Sequence, residues 1–292
     1  MVGIVLIVVV TAVLLLVLIP GGSSKADQGT RTGAPASGTP SPTFRLLSYG
    51  SDPLQQIKAY PAARPGSPLV VIVHGGAWHS EPHEAVPVQA MDLNRAGFAV
   101  FDVNYRSFTA HGAFPEEIDD LVTATRFAIA HAGEFDANPH NVTMIGGSAG
   151  GQLVASASQT LNGVPGTVGR VVTLSAPTDF AKILHDGQTG ILAPNGLAGV
   201  EQGLGCTAAS CTTAQEAPWS PALTVTSSNC PSHWLILNGT HELIPVDQAQ
   251  ELADALRAHG CSATMTLRDT SAHAYAAWPL VRDQVFAFVT AP

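Results

Sequence analysis

From residue 44 onward, short apolar runs alternate with stretches whose apolar residues recur at helical spacing. Leu69–His74 reads LVVIVH, the uninterrupted apolar run of a strand covered on both faces of a parallel sheet. Phe98–Tyr105, Val142–Ile145, Arg170–Ser175, His233–Asn238 and Ala263–Leu267 repeat the pattern. Phe44–Tyr49 is placed as a first, edge strand. Between the runs lie predicted helices. Val88–Arg95 is closed by Gly97, and Val246–His259 by Gly260. Pro115–His131 carries Ile118, Leu121, Val122, Thr125 and Ala128 on one face. Another helix starts just after Ile145, and a last one spans Trp278–Val289. Strands alternating with helices predict an α/β fold: a mostly parallel central sheet with helices on both faces.

Three stretches break the alternation. Val2–Ile19 is apolar and free of charge over 18 residues, near the lower limit for a membrane-spanning helix. No basic residue precedes it, so residues 1–20 read as either a signal peptide or an anchor that holds the chain to a membrane. Residues 21–43 are rich in Gly, Ser, Thr, Pro and Ala and read as a flexible tether. The folded domain is then 44–292. Within it, residues 181–218 are glycine-rich and irregular, an insertion long enough to act as a lid.

Composition changes this picture little. The chain has 292 residues, 46% of them apolar, enough for one large core. Its formal net charge of -9 argues against nucleic acid as a partner. The four cysteines fit an exported, extracytoplasmic protein, secreted or membrane-anchored. Of three connectivities, Cys206–Cys211 within one loop and Cys230–Cys261 before two strands are preferred. No C-x-x-C pair supports zinc, and His79 with His83 lacks a third ligand, so no metal and no cofactor are expected.

The candidate chemistry centres on Gly146-Gly147-Ser148-Ala149-Gly150, which fits G-x-S-x-G between a strand and a helix. A serine at so sharp a turn needs small neighbours two residues away on each side. The helix that follows directs its amino end at the developing negative charge. A serine nucleophile needs a base, and the base an orienting acid. His273 lies after one later strand and Glu242 after another, both at carboxyl ends, where reactive groups of open α/β sheets gather. Asp247 and Asp269 compete as the acid. Asp247 is assigned to the first turn of a helix and Asp269 to a bracing position beside His273, so Glu242 is preferred. His241 is a possible contact to substrate. His74-Gly75-Gly76 ends an earlier strand. The N–H groups of Gly75 and Gly76, with that of Ala149, are the expected oxyanion donors.

With these motifs in view, the chain resembles an α/β-hydrolase of the carboxylesterase/lipase superfamily, near the hormone-sensitive-lipase-like and feruloyl-esterase-like esterases. The resemblance rests on His74-Gly-Gly-Ala-Trp78, Asn104-Tyr-Arg106, Phe114-Pro115 with Asp120, Phe135-Asp136, Gly146–Gly151, Ala176-Pro-Thr-Asp179, Ser220-Pro221 and Gly239-Thr-His-Glu242. It departs at Ala77, where the family has a third glycine. It departs again in the acid motif, where Gly239 to Pro245 is one residue short and Glu stands for Asp. The resemblance implies hydrolysis of small-molecule or lipid esters through an acyl-enzyme. An amidase or aryl-formamidase with the same triad, and a non-catalytic binding scaffold, are the alternatives.

Overall fold

The continuous apolar runs take the middle of the sheet, where both of their faces are covered. The structure is a computed structural model and describes residues 43–79, 86–107, 114–163, 167–185 and 194–291. Eight strands form one sheet. They are β1 (Arg45–Ser48), β2 (Gln56–Tyr60), β3 (Ser67–Val73), β4 (Ala99–Val103), β5 (Ala137–Gly147), β6 (Arg170–Leu174), β7 (His233–Gly239) and β8 (Ser262–Arg268). Their order is β1-β2-β4-β3-β5-β6-β7-β8. β1 and β2 run antiparallel to their neighbours, and every pair from β4 to β8 is parallel. The described residues pack as one compact unit.

Each parallel connection carries helix. α1 (Pro87–Arg95) links β3 to β4, α2 (Phe114–Ala130) links β4 to β5, and α3 (Ala149–Asn162) links β5 to β6. Among the described residues, α4 (Phe180–His185), α5 (Pro194–Leu204), α6 (Thr213–Glu216) and α7 (Pro221–Thr224) lie between β6 and β7. α8 (Val246–Ala258) links β7 to β8, and α9 (Trp278–Thr290) follows. The period-two alternation of strand side chains splits the core in two. Leu69, Val71 and Val73 of β3 meet Leu121 of α2, Leu153 of α3 and Leu252 of α8 on one face. Val70 and Ile72 meet Leu93 of α1 and Val281 and Val285 of α9 on the other. Each such side chain, fully buried, stabilises the fold by about 1.5–3 kcal/mol.

Two expectations need correction. The first strand is shorter than Phe44–Tyr49, and β2 was not anticipated. Its five residues bury Ile57, Ala59 and Tyr60 while Lys58 stays half-buried, too brief a pattern to stand out. The 181–218 segment is also largely helical where it is described, with a turn over 205–212, rather than irregular throughout. Gly196, Gly199 and Gly203 mask α5, since glycine weakens a helix by about 1 kcal/mol relative to alanine. α6 starts at a capping box, with Gln215 Oε1 accepting the Thr212 N–H at 3.2 Å. Disulfides join Cys206 with Cys211, just after α5, and Cys230 with Cys261, in the segments that enter the neighbouring strands β7 and β8. The apolar leader and the tether, residues 1–42, lie outside the described residues, as does His83. Among the described residues no helix is long and apolar enough to cross a membrane.

Candidate active site

Ser148 sits where β5 turns into α3, with φ 57° and ψ −127°, a left-handed conformation that costs a non-glycine residue roughly 1–3 kcal/mol. The turn holds because its neighbours carry no side chain. A Cβ on Gly146 would overlap the carbonyl of Gly150, the crowding expected from the motif. Gly150 faces different atoms: its Cβ would run into the carbonyls of Val73 and His74 at the end of β3. The Ser148 N–H donates to the Leu174 carbonyl of β6 at 2.8 Å, which pins the turn to the sheet.

The structure brings Ser148, His273 and Glu242 together. His273 Nε2 is 2.8 Å from Ser148 Oγ, and its Nδ1 is 2.5 Å from Glu242 Oε2. The Glu242 side chain is fully buried and that of His273 about a third exposed. Glu242 also accepts the N–H of Gly239 at 3.3 Å and that of Ile244 at 3.4 Å. The turn from Gly239 to Pro245 is one residue short for an aspartate motif, and the extra methylene of glutamate supplies the missing reach. With Nδ1–H donated to the carboxylate, the lone pair of Nε2 faces the serine hydroxyl, so a proton acceptor stands ready for Ser148.

The competing acids lie elsewhere. Asp247 is in the first turn of α8, as expected, 3.6 Å from Lys182 Nζ. Asp269 does not brace His273. It pairs with His241 Nε2 at 3.0 Å on the open surface, both side chains more than two-thirds exposed. Among the described residues no three metal-ligating side chains cluster.

The loop after β3 lies against the serine. A Cβ on Gly75 would stand 2.7 Å from the Gly147 carbonyl and 3.0 Å from Ser148 Cβ. Gly76, Ala77 and Trp78 follow with φ of 113°, 52° and 61°, so Ala77 takes a glycine-like conformation where the family motif has glycine. Trp78 holds this strained run. Its indole donates to Gln152 Oε1 at 3.0 Å, and its ring meets Phe114 and Phe180 edge-on. The His74 ring bridges the Gly75 carbonyl at 2.7 Å and Asn104 Oδ1 at 3.1 Å, and it stacks on Tyr105. Trp78, Gln152, Asn104 and Tyr105 thus shape the site from beneath. Sequence reading gave Gln152 no part in it and took the others only as marks of resemblance. Asn104 and Tyr105 directly follow the end of β4, whereas Trp78 comes five residues after β3 and Gln152 lies in the first turn of α3.

This fold and this constellation define an α/β-hydrolase of the carboxylesterase/lipase superfamily. Residues 57–256, more than half of the chain, match the BD-FAE family, and the chain belongs to it. Over 126 residues the chain is 32% identical to carboxylesterase NlhH of Mycobacterium tuberculosis, covering 42% of this chain and 39% of that one. The chain thus spans about two fifths of the length of this curated relative. Its fold is similar to that of esterase B from Lactobacillus rhamnosis, with TM-score 0.64, 18% identity and coverage of 77% of this chain and 73% of that one. It is also similar to the bifunctional GH43-CE protein of Bacteroides eggerthii, with TM-score 0.71, 21% identity and coverage of 85% and 35%.

Proposed function

We propose that this protein is a serine hydrolase that cleaves carboxylic esters of small molecules or lipids through an acyl-enzyme. The observation that carries the reading is the unbroken relay from Glu242 through His273 to Ser148, at 2.5 and 2.8 Å, beside the glycines of the 75–76 loop. Ser148 Oγ attacks the acyl carbon while His273 Nε2 takes its proton. The tetrahedral oxyanion is received by the N–H groups of Gly75, Gly76 and Ala149. The imidazolium then gives its proton to the leaving alcohol as the ester C–O bond breaks. Water repeats the sequence on the acyl-serine: His273 takes a proton from the water, and Ser148 Oγ recovers it as the acid departs. Glu242 keeps its hydrogen bond to Nδ1 throughout and holds the imidazole in register.

Two further assignments belong to this reading. Residues 44–292 form the catalytic domain, with 181–218 as a lid-like insertion. In its support, α5 touches the oxyanion loop directly: a Cβ on Gly199 would overlap the Ala77 carbonyl and crowd the His79 ring. The protein works outside the cytoplasm, secreted or anchored through residues 2–19. Two disulfides and the apolar leader pattern support that placement.

The test is hydrolysis of p-nitrophenyl esters from acetate to palmitate, by wild type and by Ser148→Ala. The expected result is turnover that falls roughly 10⁶-fold in the variant, the scale of losing the nucleophile of a triad. Folded protein that neither hydrolyses any ester nor is labelled at Ser148 by a fluorophosphonate would point to a binding scaffold. Labelling without ester turnover would favour an amide substrate.

A further inference from the structure

The base His273 stands in a loop tied to the turn after β7, through its own bond to Glu242, the His241 N–H to the Thr270 carbonyl and the Asp269–His241 pair. Asp269 and Ser271 are exposed, and the next residue, Ala274, takes φ 48°, a conformation alanine rarely adopts. Strain of this kind persists only where the surroundings hold it. Two side-chain contacts do so here. The Ala274 N–H donates to Ser175 Oγ at 2.9 Å, and the Tyr275 hydroxyl donates to the Val73 carbonyl at 2.8 Å and lies 3.4 Å from that of Ile145.

The Tyr275 contacts are the unusual ones. Val73 is the last residue of β3, immediately before His74-Gly75-Gly76, and Ile145 belongs to β5, which ends one residue before Ser148. The Tyr275 ring also lies over Gly147: a Cβ there would meet it at 2.8 Å. Gln89 of α1 holds the same residue from behind, its Nε2 donating to the Tyr275 carbonyl at 3.2 Å. One side chain therefore touches the strand ends that lead to the nucleophile and to the oxyanion glycines, two residues along from the base.

We propose that Tyr275 is a positioning residue, whose hydroxyl ties the His273 loop to the ends of β3 and β5 and so sets the distance from His273 Nε2 to Ser148 Oγ. The inference rests on the hydrolase reading above. Burial and the nearby Asp102 carboxyl keep the phenol protonated, so it remains a donor across the working range. Phenylalanine would keep the ring over Gly147 and lose only the tie.

The experiment is Tyr275→Phe, assayed on p-nitrophenyl butyrate with the competent sites counted by fluorophosphonate titration. A positioning role predicts that the sites still titrate fully while kcat per titrated site falls roughly ten- to a hundredfold, with KM within about twofold. The rate of phosphonylation, which also draws on His273, should fall in step. A merely structural role would lower the number of titratable sites and leave kcat per site unchanged, and that result overturns the proposal. Gln89→Ala is the second variant should Tyr275→Phe fail to fold. It should lower kcat per site in the same sense but less, and an unchanged value there is equally fatal. Wild-type protein that neither turns over nor labels would overturn the hydrolase reading and this one together. An active wild type with an unaffected variant would overturn this one alone.

Discussion

Two regions of the molecule each bury a carboxylate, and they treat it in opposite ways. In the turn after β7, Glu242 receives two backbone N–H groups and the His273 imidazole. In the middle of β4, Asp102 is 1% exposed and neither of its oxygens has a hydrogen-bond partner. Burial pushes the Asp102 carboxyl up to about 7, against a smaller opposing pull from Lys58. Glu117 on α2 resembles Asp102: it is fully buried, both oxygens lack partners, and burial, with Asp120 and Glu116 nearby, pushes its pKa well above the usual carboxylate range. Burial alone therefore does not make an acid fit to hold a catalytic base. The supply of donors does, because a buried charge without them gives way to the neutral form.

The largest expected effect bears on the partnered acid. Glu242→Gln should lower ester turnover by up to roughly 10⁴-fold, because the amide no longer fixes the Nδ1–H tautomer. Asp247→Ala should stay within about twofold of wild type in the same assay. Equal losses in the two variants would erase the distinction drawn for Glu242.

The next effect is on stability and comes from the unpartnered acid. The folded pKa of Asp102 lies above its ordinary 3.8, so the native state holds this proton more tightly than the unfolded chain does. Its contribution to stability is fully present below about pH 4, is lost as pH rises, and is gone above about 7. A shift from 3.8 to about 7 corresponds to a loss on the order of 4 kcal/mol. Asp102→Asn cannot ionise and should escape that loss, so urea unfolding at pH 5 and pH 8 should differ less for the variant than for wild type. The same pH dependence in both proteins would show that Asp102 has a partner in solution.

A smaller effect gives the scale against which both can be read. Replacing Cys206 and Cys211 by serine opens a loop with a sequence separation of 5. Chain entropy puts the cost at roughly 2 kcal/mol, measurable as a lowered urea midpoint. The pH dependence assigned to Asp102 should survive unchanged in that double variant.

Much of this molecule is legible in the chain, for reasons that can be named. β3, β6 and β7 are apolar on both faces, and such runs have one comfortable place in an α/β domain. Ser148 stands out because only a tight strand-to-helix turn needs glycine on both sides. His273 and Glu242 follow from strand ends taken in order. What escaped notice depends on contacts made across the sheet. Asp102 is one polar letter in a strand of apolar ones, and nothing local says that it faces a dry core. The grip of Trp78 on Gln152 spans 74 residues, and that of Tyr275 on Val73 spans 202. α5 escaped because three glycines disguise its period, and at least one of them, Gly199, is needed for a close approach that sequence cannot foresee.

The spacing of the relay along the chain has a consequence for synthesis. Ser148 and His273 are 125 residues apart, on opposite sides of β6, β7 and β8. Parallel strands join only after long loops have closed, so this is a slow kind of assembly. A growing polypeptide that has already made β5 and α3 carries its serine on the bend but has no base to awaken it. On the hydrolase reading proposed above, reactivity requires β8 paired with β7, because the loop after β8 carries His273 to Ser148. On that reading the unfinished chain is chemically mute towards esters, and completion of the fold is what switches it on.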